Sequence, residues 1–112
     1  MIRAAALLLL GAGPAAAQEA EVTCAALWSG YAEFARVSAY LDIGESRDQA
    51  SEFRAQAIRQ GLSPAIVDHQ IAAQRDGMFL LVRATIEDGD KMSRDLLERQ
   101  MQLCEGLPGS AD

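Results

Sequence analysis

Cys24 and Cys104 are the only cysteines in the chain, and His69 is its only histidine. Two thiols can form a structural disulfide or a redox couple. Active dithiols sit as C-x-x-C beside a helix start that lowers the thiol pKa, and neither cysteine here has such a neighbour. In an oxidising compartment a single intramolecular pairing exists, Cys24 to Cys104. It would close a loop of about 80 residues, for which chain entropy gives an upper figure of roughly 4.5 kcal/mol.

The other chemistry-bearing residues are sparse. His69 falls opposite a Val67/Ile71/Met78 stripe, toward water, with no second His, spare Cys or helix-spaced carboxylate set to complete a metal site or a triad. A non-covalent haem would need His69 turned inward with Met78 or Met92 as axial partner, and the C-x-x-C-H attachment motif is absent. Glu87-Asp88-Gly89-Asp90 lacks the twelve-residue pattern of a calcium loop and reads as an acidic turn. No catalytic residue, metal ligand or cofactor is expected. Tyr40 projects away from the apolar stripe of its helix, near Glu33 and Arg36, and is a candidate partner contact. Trp28 flanks that stripe and should pack at a helix–helix edge.

Compartment follows from the first seventeen residues. Met1-Ile2-Arg3 carries one positive charge, Ala4 to Leu10 is apolar, and Ala15-Ala16-Ala17 is a small-residue cleavage site. This is the build of a secretory signal peptide cleaved after Ala17, its apolar run too short to span a bilayer. One Arg before the run excludes a twin-arginine signal, and Glu21-Val22-Thr23 before Cys24 is no lipobox. Lys91 is the sole lysine among ten basic residues, which with the many alanines suits a GC-rich bacterial genome and a periplasmic address. The net charge of −6 argues against binding nucleic acid through a basic surface. The length from residue 18 to 112 allows one domain.

The elements that must position these residues are all helical. Thr23 can cap a first helix, with Val22 and Leu27 as a hydrophobic staple; Cys24, Leu27, Tyr31, Phe34, Ser38 and Leu41 form its stripe, and Ile43-Gly44 ends it. Ser46-Arg47-Asp48-Gln49 reads as a capping box opening a second helix, with Ala50, Phe53, Ala57 and Ile58 apolar and Gly61 closing it. Ser63-Pro64 opens a third, Ser as cap and Pro at the first helical position. Val67, Ile71, Gln74, Met78, Leu81 and Thr85 keep one phase across Gly77, so this helix is expected to be continuous to about Glu87. Within it Met78-Phe79-Leu80-Leu81-Val82 is apolar all round, and Phe79 and Leu80 become candidate contacts with a partner. Asp90 can cap a fourth helix that ends at Gly106, with a loose tail from about residue 107.

Four helices on short loops predict an all-α, up-down-up-down four-helix bundle. In that topology Cys24 and Cys104 lie at the same end, so one terminal disulfide ties the domain. In size, export, helix content and single disulfide the chain resembles the small periplasmic acid-stress chaperones of enteric bacteria, with Ser63-Pro64-Ala65-Ile66-Val67 as the local echo. In that family the disulfide joins interior helices rather than the ends, so function is not carried across. The residues favour a non-catalytic periplasmic protein acting through contacts with another periplasmic protein or a second copy of itself. A small-ligand or haem-binding bundle and an acid-stress chaperone are the alternatives.

Overall fold

A computed structural model describes residues 14–38 and 43–110, with the side chains of 14–18 left undescribed. The described chain forms four helices: α1 (Pro14–Ala35), α2 (Ile43–Arg59), α3 (Pro64–Ile86) and α4 (Lys91–Glu105). No strand occurs among the described residues. The helices form the expected up-down-up-down bundle. α2 and α3 each pack along α1 and touch one another little, while α4 lies against α3.

The core explains this order. α1 buries Val22, Cys24, Ala25, Ala26, Leu27, Phe34 and Ala35, a broad face with small residues where helices approach closely. Gly30 marks one such approach: a Cβ there would lie 2.7 Å from the Phe79 amide nitrogen and 2.8 Å from Met78 Cβ. α1 can therefore cross α3 backbone against side-chain root only because residue 30 has no side chain. Phe53 from α2, Val82 from α3, and Leu97 and Cys104 from α4 complete the main cluster. Val22, Ala57 and Val67 form a smaller one near the α2–α3 turn.

That turn follows the sequence closely. Gly61 adopts φ 115°, where a side chain would be strained. Leu62 N–H donates to Ala57 O (3.4 Å) and Gly61 N–H to Ile58 O (3.0 Å), the pair of bonds of a Schellman motif. Ser63 Oγ then accepts the Ile66 amide (3.3 Å) and Pro64 stands at the first helical position. α3 runs unbroken through Gly77 to Ile86. Asp90 caps α4, its Oδ2 accepting the Ser93 N–H (2.9 Å) and the Ser93 hydroxyl (2.6 Å).

Several local expectations are corrected. α1 begins at Pro14, so Thr23 is not a cap but an interior residue whose hydroxyl donates to Gln74 Oε1 at 3.1 Å. α1 also ends at Ala35, not near Ile43; Val37 and Ser38 close it with short bonds to Phe34 and Ala35. Arg36 and Val37, the next two residues, stand open to solvent. Ser46 lies inside α2, buried, because packing on α1 extends that helix back to Ile43. At the C-terminal end of the described residues, Leu107 packs on the core and Gly109 is buried.

Cys24 and Cys104 are joined, with Cα atoms 5.8 Å apart. Tyr40 and the expected signal segment up to residue 13 lie outside the described residues. No helix among the described residues is long and apolar enough to cross a membrane.

Candidate functional site

α4 carries two apolar stripes, and its two ends decide which of them faces the bundle. At the start, the Asp90 N–H donates to Ala84 O of α3 (3.1 Å); at the end, the Cys24–Cys104 bond holds Cys104 against α1. Rotation of α4 about its own axis is thereby set. Leu97, Met101 and Cys104 turn inward. Met92, Leu96 and Leu103, at i, i+4 and i+11, are left on an outward stripe. They are 76%, 49% and 66% exposed. These three large apolar side chains form an exposed stripe on one face of α4.

The candidate contacts named from the sequence divide. Leu80 on α3 is 53% exposed. Phe79 packs on the core, its ring 6.1 Å from that of Phe34. The rest of the run, Met78, Leu81 and Val82, also packs inward. The apolar run therefore serves the core with four of its five residues. Trp28 sits half-buried beside Tyr31, ring centroids 5.3 Å apart. The outward stripe of α4 escaped sequence reasoning because its leucines read as ordinary core positions. The signal was present: Met92, Leu96, Leu97, Met101, Leu103 and Cys104 span too wide an arc for one seam.

His69 and Met92 face solvent on different helices and Met78 packs on the core, so the haem set is not assembled. In the acidic turn, Asp90 is engaged as the α4 cap, which holds its carboxyl below the usual range. Among the described residues no group of three His, Cys, Asp or Glu is arranged to hold a metal ion.

Glu21 is the charged residue that sequence reasoning passed over. It is fully buried on α1, one turn before Cys24. Its Oε1 accepts the Gly109 amide (3.2 Å), and its Oε2 has no hydrogen-bond partner among the described residues. Burial pushes its carboxyl upward, partly offset by the Gly109 hydrogen bond and the charge of Arg59. A Cβ on Gly109 would overlap Glu21 Oε2 and lie 2.6 Å from Phe53 Cδ1. Glu21, the disulfide and the C-terminal turn thus form one closed end of the molecule.

On another side, α1, α2 and α3 enclose an open cleft of about 380 Å³ lined by Arg47, Arg54, Arg75, Glu33 and Asp68 among others. Arg54 and Asp68 bridge it with two hydrogen bonds (2.6 and 3.1 Å). No family model, curated protein or solved structure matches this chain.

Proposed function

We propose that this chain is an exported, non-catalytic periplasmic protein that works through protein–protein contacts, with the outward stripe of α4 as its contact face. The observation that carries this is the exposure of Met92, Leu96 and Leu103 on a helix tied to α3 at its start by the Asp90 N–H to Ala84 O bond and to α1 at its end by the disulfide. A loosely attached helix could roll to bury these side chains. This one is held by a covalent bond, so its second apolar stripe is open to a partner. Leu80 adds apolar surface on the neighbouring helix.

Export is supported by the leader-like first seventeen residues and is compatible with the disulfide, which suits an oxidising compartment. Cleavage after Ala17 would leave α1 starting near Gln18 with every described buried residue retained.

The test compares wild type with Leu96→Glu/Leu103→Glu. Sedimentation over a range of concentrations reads self-association, and recovery of periplasmic proteins on tagged bait reads a foreign partner. Wild type should show one of the two, and the double variant should lose it while keeping its helicity and melting temperature. Association unchanged in the double variant, or absent from wild type in both assays, would overturn the reading.

A further inference from the structure

The cleft on α1, α2 and α3 lies apart from the α4 stripe, and its side chains fall into rungs. α2 and α3 are joined by the tight turn at 60–63 and run antiparallel. Arg54 and Asp68 form the ion-paired rung nearest that turn. One turn further along each helix come Ser51 and Ile71, both lining the cleft. The next rung is Arg47 on α2 and Arg75 on α3, each seven residues from its helix's member of the closed rung. At 1.5 Å per residue that is about 10 Å from the ion pair.

The outer rung is therefore two guanidiniums facing one cleft. Neither makes an ion pair or hydrogen bond among the described residues. The remaining acid at the cleft, Glu33, is engaged by Arg36 at 3.3 Å. Two like charges held on opposed helices in a chain of net charge −6 are an electrostatic deficit that an anion between them would relieve. Guanidiniums present paired N–H donors suited to carboxylate and phosphate oxygens, and the hydroxyls of Ser29 and Ser51 add neutral donors. Ala32 of α1 floors the cleft, with Ala50 and Ile71 as apolar walls.

We infer that this cleft binds a small organic oxyanion, its carboxylate or phosphate bridging Arg47 and Arg75 and its body lying along Ala50 and Ile71 toward the closed Arg54–Asp68 end. The size follows from the walls: α1 beneath, an ion pair at one end, and a volume near the bottom of the roughly 300–1,000 Å³ range of small-molecule sites.

The experiment is a ¹⁵N NMR titration at constant ionic strength with inorganic phosphate and, separately, succinate. Constant ionic strength removes general screening as a cause of shifts. Saturable shifts should centre on Ser29, Arg47, Ser51 and Arg75 with at least one probe. Arg47→Ala and Arg75→Ala should each weaken binding by about tenfold or more, Arg47→Lys by less, because it keeps the charge and loses the fork. Arg94→Ala on α4 should leave binding unchanged. Saturation by phosphate alone would assign a phosphate head, and by succinate alone a carboxylate head. Linear, unsaturated shifts with both probes would overturn the site, as would saturable binding that survives Arg47→Ala/Arg75→Ala. Both arginines are exposed, so unchanged circular dichroism of the variants will show the fold intact.

Discussion

Among single residues, Glu21 has the clearest consequence. Its folded pKa is raised, chiefly by burial, so ionising it costs more in the folded than in the unfolded chain. Its contribution is therefore most favourable at low pH, where it is protonated in both states, and is lost as pH rises through the folded pKa. Glu21→Gln should remove that slope from a plot of stability against pH, and unfolding titrations across the acid range will read it. Asp68 carries the opposite sign: its carboxyl is held low by the Arg54 hydrogen bond, so its small contribution fades as pH falls. Acid thus favours the Glu21 end and weakens the Arg54–Asp68 rung. Gly109→Ala should drive a methyl into Glu21 and Phe53 and cost about 1–3 kcal/mol, measured by denaturant unfolding. The cysteine pair was legible in the sequence because two cysteines allow one intramolecular bond. Glu21 was not, because Glu19-Ala20-Glu21 looks like a solvated helix start until the C-terminal turn is folded over it.

At the scale of the helices, two glycines should answer the same substitution with opposite signs. Gly77 has open space where a Cβ would go, so Gly77→Ala should stabilise α3 by about 1 kcal/mol through helix propensity alone. Gly30→Ala should instead destabilise by about 1–3 kcal/mol, since the α3 backbone is in the way. Thermal melts of the two variants side by side will show the contrast. Boundaries set by local chemistry are legible in the sequence: the Gly61 turn, the Ser63 cap and the Asp90 cap all act within a few residues. Boundaries set by packing are not. Thr23 and Ser46 are good caps by type, yet both lie inside helices because neighbouring helices bury them or bond to them.

For the whole molecule, topology and disulfide support one another. An up-down-up-down bundle brings the α4 end back to α1, and the bond between Cys24 and Cys104 holds it there. Reduction, Cys24→Ser or Cys104→Ser should each cost about 3–4 kcal/mol, lowering the melting temperature by more than about 10 °C. The double variant should be no worse than either single one, because both remove the same bond. That bond also helps fix which stripe of α4 looks outward, so the proposed contact face depends on it. The proposed contact face is tested most directly by a photo-crosslinking side chain placed in the protein, expressed in its native cell, at position 96 or 103, with positions 98 and 102 on the polar side of α4 as controls. Discrete cross-linked products at 96 and 103, and none at 98 and 102, are the expected result. No discrete product at 96 or 103, or equal products at all four positions, would contradict a contact surface on the outward stripe of α4.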